Sequence, residues 1–136
     1  MSDDSSLRGL THVSLSVSDL ERSFDFYQRV LGLPVLVPPF DGEVFEGREA
    51  MLTAGRIAIC LQAHNANEGE AFDPTRTGLD HFAFYVGSTD ELEEWSRRLD
   101  REGIEHSEIK PAGAFGSMIE LRDPDGIQLE LHTLEG

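Results

Sequence analysis

The chain is poor in cysteine, in lysine and in long apolar runs, and each shortage excludes something. Of 136 residues only Cys60 is a cysteine, so no disulfide forms within the chain, which suits a reducing compartment. Lysine occurs once, at Lys110, and 11 Lys+Arg stand against 26 Asp+Glu for a net charge of −15. Such a charge repels phosphate backbones and anionic bilayers, which excludes nucleic acid and membrane surfaces as partners. No apolar run approaches the ~18 residues of a membrane-spanning helix. The opening MSDDSSLRG lacks the basic-then-apolar layout of a signal peptide. A cytoplasmic protein that binds a neutral or cationic small molecule is therefore expected. A hydrophobic content of 39% is enough for one domain without a disulfide or metal staple.

What is present is a repeat. Residues 1–6 are polar and expected to be disordered. From Leu7 onward THVSLSVSDLERSFDFYQRVLGL is echoed by LDHFAFYVGSTDELEEWSRRLDREGI. Each half opens with strict alternation, the signature of a half-buried strand. Val13, Leu15 and Val17 oppose His12, Ser14 and Ser16; Phe82, Phe84 and Val86 oppose His81, Ala83 and Tyr85. Capping boxes follow at Ser18–Glu21 and Ser88–Glu91, each leading into an amphipathic helix. The buried stripes are expected at Phe24, Tyr27 and Leu31, and at Leu92, Trp95 and Leu99; Gly32 and Gly103 stand where left-handed caps belong.

Three further strands are expected in each half, at 33–37, 44–53 and 56–64, then at 105–110, 117–122 and 127–133. Asp123-Pro-Asp-Gly126 supplies a tight turn before the last. The fold class is α+β, with two tandem βαβββ modules over about 7–64 and 79–134 and a linker at 65–78.

With the helices covering one face of each sheet, the other face carries the polar residues. His12 and His81 lie there, as do Gln128, Glu130 and His132 on the last strand and Ala58, Cys60, Gln62 and His64 on its counterpart. Positions 12 and 60 are 48 apart and positions 81 and 130 are 49 apart, so Cys60 is the repeat mate of Glu130. Two imidazoles and a carboxylate, His12, His81 and Glu130, form a set that suits a divalent ion and leaves positions open for substrate.

Together LTHVSLSVSDLERSFDFYQRVLGL, GLDHFAFYV and RDPDGIQLELHT resemble the vicinal oxygen chelate superfamily, which includes glyoxalase I, the fosfomycin-modifying thiol transferases, extradiol dioxygenases and bleomycin-binding proteins. The resemblance spans Leu7 to Thr133. It implies a divalent ion (Fe²⁺, Mn²⁺, Ni²⁺ or Zn²⁺) on His12, His81 and Glu130, a small oxygen-rich substrate chelated through adjacent oxygens, and a homodimer in which each site is shared between chains. Cys60 stands where glyoxalase I has a fourth ligand, which leaves it a soft ligand or an inert buried thiol. Lys110 falls where the fosfomycin enzymes bind a phosphonate, and Ser14 where they carry a hydroxyl beside the first ligand. Extradiol dioxygenases use the same triad, but Glu120 stands where they have a tyrosine. His64 and Tyr85 are the acid/base and oxyanion candidates, and Phe40, Phe45, Phe115 and Met118 are expected to line the pocket. The alternative is a metal-free protein that sequesters a cationic antibiotic or metabolite, which has no need of the three ligands together.

Overall fold

A computed structural model describes residues 6–134; the expectation of disorder at the N-terminus concerns positions of which 1–5 lie outside the described residues. The chain divides into two compact units, Met1–Asn67 and Glu68–Gly136. Most of the expected linker groups with the second unit, where the Phe72 amide donates to the Asp125 carbonyl.

In the first unit β1 (His12–Ser16) leads into α1 (Leu20–Asp25), whose last turns, Phe26–Val30, are π-helical; β2 (Val35–Asp41), β3 (Gly47–Ala54) and β4 (Ile57–His64) complete it. The sheet order is β1-β4-β3-β2, with β1 parallel to β4 and the other pairs antiparallel. In the second unit β5 (Phe82–Tyr85), α2 (Thr89–Arg101), β6 (Lys110–Pro111), a short 3-10 turn at Gly113–Phe115, β7 (Ser117–Arg122) and β8 (Gln128–His132) follow one another. Their order is β5-β8-β7-β6, and β5 runs parallel to β8. The two units thus share one strand permutation, as the sequence repeat requires.

Local chemistry accounts for most boundaries. Ser88 caps α2 by accepting from the Glu91 amide, as expected. The first cap is displaced by one residue: Asp19 accepts from the Arg22 amide, while the Ser18 hydroxyl accepts from the Arg22 guanidinium. A carboxylate is the stronger acceptor for a helix-terminal N–H, so Asp19 takes the cap. Gly32 and Gly103 both adopt φ +71°, which only glycine accommodates without strain. The widened turn of α1 carries Phe26, Tyr27, Val30 and Leu31 into the core and leaves Phe24 half-buried, so the buried stripe is broader than expected.

Two strands differ from expectation. The segment 105–110 is reduced to a bridge between His106 and Leu121 and the two residues of β6, because Pro111 has no donor to extend a ladder. At the edge of the first sheet β2 runs longer than expected and carries Pro38 and Pro39, with irregular register on either side of Val37.

The cores lie on the helix-facing sides. Leu15, Val17, Ile59 and Leu61 pack there in the first unit, and Leu121, Ile127, Leu129 and Leu131 in the second. Leu129 pairs with Phe82 on one side and Leu121 on the other and has no exposed surface. Leu129→Ala should therefore cost about 2–5 kcal/mol in denaturant unfolding. Leu36→Ala, on the exposed part of β2, should stay within about 0.5 kcal/mol of wild type in the same measurement.

Candidate metal centre

β8 departs from simple alternation because both of its faces are buried. Glu130 is 6% exposed and His132 7%, although they lie on the face opposite the apolar core. A carboxylate removed from water in this way needs donors or a cation on each oxygen. Gln128 donates its amide N–H to Oε2 of Glu130 at 2.9 Å. Oε1 faces two imidazoles, His132 Nε2 at 2.8 Å and His81 Nε2 at 3.4 Å.

The far sides of those rings decide what the near sides present. His81 Nδ1 lies 2.7 Å from Asp80 Oδ1, and His132 Nδ1 lies 3.0 Å from the Phe115 carbonyl. The Asp80 carboxylate only accepts, so a neutral His81 carries its proton on Nδ1 and turns the Nε2 lone pair toward Glu130, whereas His132 stands between two acceptors, the Phe115 carbonyl and Glu130 Oε1, and holds both by donating from each ring nitrogen. A carboxylate fixing the outer nitrogen is how metal-binding histidines are oriented. The hydrogen bond that His81 donates to Asp80 holds His81 above the ordinary imidazole pKa; burial opposes it, and the charges of Glu130, Asp80 and Glu120 add to it. Proton and metal would compete for the same lone pair.

These donors fit a borderline divalent ion, for which imidazole nitrogen and carboxylate oxygen are suitable ligands. Among the described residues no group of three or more His, Cys, Asp or Glu stands in full metal-holding geometry. The second unit therefore offers a partial ligand set. Of the three ligands expected from sequence, His81 and Glu130 come together in that unit, and His12 belongs to the other.

His12 repeats the arrangement of His81. Its Nδ1 lies 2.8 Å from the hydroxyl of Thr11, the residue immediately before it, as Asp80 immediately precedes His81. Register places Ser14 opposite Cys60 and Met51 opposite Cys60 on the same face. Burial pushes the Cys60 thiol up, the Ser14 hydroxyl counters this by hydrogen bonding, and the nearby charge of Glu49 adds to it. Glu49 itself went unnoticed in the sequence. It is 5% exposed and pairs across the sheet with Gln62, so it shares the face of His12 and Cys60. Among the described residues no hydrogen bond or ion pair engages its carboxylate. Among the described residues none of the buried side-chain oxygens or nitrogens lacks a partner, so the small accessible part of Glu49 is its carboxylate tip.

The remaining candidates occupy varied positions. Tyr85 is exposed at the end of β5, opposite His132. Lys110 is tied to Glu120 Oε1 at 3.1 Å. His64 ends β4 with the Phe45 ring packed against it, centroids 4.5 Å apart. Phe115 stands edge-on to His132 at 5.9 Å and is largely exposed, while Phe40 and Met118 are half-buried.

Paired βαβββ units with His and Glu on the polar sheet faces define a family. The chain belongs to the Glyoxalase/Bleomycin resistance protein/Dioxygenase superfamily, whose sequence pattern matches residues 9–131. Within it, the chain is 33% identical to the glutathione transferase FosA of Serratia marcescens over 93% of this chain and 82% of that one. It is 27% identical to the metallothiol transferase FosB of Staphylococcus saprophyticus, covering 93% and 78%. The crystal structure of a glyoxylase/bleomycin resistance protein/dioxygenase domain from Frankia superimposes with a TM-score of 0.80 at 35% identity, covering 93% and 98%. No helix among the described residues is long and apolar enough to cross a membrane.

The raised thiol pKa has a testable sign. The fold favours the neutral form of Cys60, a contribution complete below the ordinary thiol pKa and lost as pH rises through the raised value. Unfolding curves between about pH 7 and 10 should show wild type losing stability relative to Cys60→Ala as pH increases. Iodoacetamide should label Cys60 more slowly in the folded protein than in urea.

Proposed function

We propose that the chain is a divalent-metal-dependent enzyme that opens a small, oxygen-rich electrophile by nucleophilic addition, in the manner of the thiol transferases it is similar to. The observation that carries this reading is the His81–Glu130 pair, with Asp80 fixing the outer nitrogen of His81 and the inner nitrogen aimed at a buried carboxylate oxygen. His12, held by Thr11 in the same manner, is the third ligand of this reading. In a homodimer His12 of one protomer would join His81 and Glu130 of its partner, a role that follows from the family resemblance. A metal-loaded monomer in sedimentation would overturn that arrangement.

A divalent ion held by these residues would act as a Lewis acid on two adjacent oxygens of the substrate. The chain's own groups do the rest. Glu49, a carboxylate on the His12 face of the first sheet without a hydrogen-bond partner among the described residues, is the group this reading assigns to take the proton from an incoming thiol or water. The nucleophile's electron pair forms the new bond to carbon, the carbon–oxygen bond breaks, and its pair stays on oxygen. Tyr85, on the His81 face of β5, offers an O–H to that oxygen. Lys110, its charge balanced by Glu120, contributes less to binding an anionic substrate than a free lysine would. The Ser14 hydroxyl serves the Cys60 sulfur, and Phe45 packs against His64, so neither Ser14 nor His64 is assigned a proton-transfer step.

The test uses fosfomycin as the probe, followed by phosphorus NMR with Mn²⁺ and with glutathione, cysteine or no thiol. Turnover should require the metal, and the product should report whether thiol or water adds. Glu130→Ala should abolish metal uptake with the fold retained. Glu49→Gln should retain metal and lose about 10²–10⁴ in rate. Metal uptake with fosfomycin left intact under every condition would overturn the substrate class. A wild-type protein that takes up no divalent ion would overturn the enzyme reading in favour of sequestration of a cationic ligand.

A further inference from the structure

Glu130 is held from one side by a residue that also reaches a loop. His132 Nε2 lies 2.8 Å from Glu130 Oε1, and its Nδ1 lies 3.0 Å from the carbonyl of Phe115. The ring itself is buried. Phe115 ends the short turn Gly113–Phe115, which is otherwise held by local bonds: the Phe115 amide donates to Ala112, the Gly116 amide to Gly113, and the Ala112 amide to Gly116. Gly113 and Gly116 have positive φ of 60° and 74°, so the loop is built on its two most permissive residues. The Ser117 amide, just beyond, donates to the Thr133 hydroxyl. The C-terminal end of this segment is thus pinned by the side chains of His132, which ends β8, and Thr133, which follows it, and His132 also touches the carboxylate.

We propose that His132 is a positioning residue that ties the Ala112–Gly116 loop to Glu130, so that loop conformation and metal affinity are coupled. The inference rests on Glu130 being a metal ligand. Its physical basis is that a carboxylate with one oxygen anchored by Gln128 is free to rotate about that anchor unless the other oxygen is also held. His132 supplies the shorter contact to that oxygen, 2.8 Å against 3.4 Å from His81, and braces it against a backbone carbonyl. Outer partners of this sort commonly govern metal affinity without binding the ion themselves. Coupling runs in both directions, since a contact that fixes the ligand for the ion also fixes the loop when the ion is bound. Phe115, exposed and edge-on to His132, places an aromatic ring at the loop end of this strut, where a seated ligand would be felt by Glu130.

Calorimetric titration with Mn²⁺ and Zn²⁺ tests the ligand side, and amide hydrogen exchange of residues 112–116 tests the loop side. His132→Leu should weaken metal binding about 10- to 100-fold. In wild type, metal should slow exchange at Ala112, Phe115 and Gly116; in His132→Leu that protection should vanish. His132→Gln, whose amide group carries two N–H donors, should recover most of both effects. His132→Asn, too short to span both oxygens, should not, and this polar pair decides the matter if the leucine variant does not fold. Equal metal affinity in wild type and in the Gln and Asn variants would overturn the assignment. So would loop exchange in wild type that ignores the metal. If wild type binds metal, Glu130→Ala does not, and the His132 variants match wild type, the metal-ligand reading stands and the role of His132 falls. A wild type that binds no metal removes both.

Discussion

A carboxylate buried at the middle of a β-strand sets the terms for the second unit. Glu130 stands among residues that pack as a core, and it is tolerated there because each oxygen meets a side chain able to donate to it or to share a cation with it. Gln128 and His132 lie two residues away on either side, the spacing at which a strand returns to the same face. His81, immediately before the neighbouring parallel strand β5, reaches the carboxylate from that side. The second tier follows from the first, since Asp80 and the Phe115 carbonyl orient the rings that surround Glu130. A single charge thus orders two strands, one loop and the residue before β5.

The first unit has the same scaffold and a different occupant. Cys60 takes the repeat position of Glu130, and a buried thiol makes a smaller demand on its surroundings than a carboxylate, met here by the Ser14 hydroxyl. Its sheet instead buries a carboxylate one strand over, at Glu49. One backbone plan therefore carries a paired carboxylate in one half and an uncommitted one in the other. That difference is what divides ligand holding from proton transfer in the proposed chemistry.

Much of this was legible in the sequence because alternation, caps and turns are local. The strands of the two repeats other than 105–110, the Ser88 cap, the positive φ of Gly32 and Gly103 and the turn at Asp123–Gly126 follow from nearest-neighbour chemistry. The residues that escaped are those whose role depends on where a neighbouring ring points. Thr11 and Asp80 each precede a histidine, and that repeat of a hydrogen-bonding side chain was visible but carries meaning only once the ring nitrogens are placed. Glu49 sits on a strand, GREAMLTA, with weak alternation, so nothing in the text marks it as inward. His132 was placed on the correct face without a task, since a bond to a carbonyl seventeen residues away leaves no local trace. The π-helical turns of α1 are a tertiary choice, widening the helix to seat four large side chains.

The paired prolines of β2 bear on how the chain behaves at high concentration. An edge strand ordinarily offers a row of free N–H groups to any extended segment that drifts past, and this is how sheets recruit foreign strands into aggregates. Pro38 and Pro39 occupy consecutive positions whose N–H groups would face opposite sides of the strand, so the pair leaves a gap in the donors of the open margin, and the register irregularities beside them bend what is left. Growth of that sheet by addition at β2 is therefore disfavoured by covalent structure, independent of salt or pH.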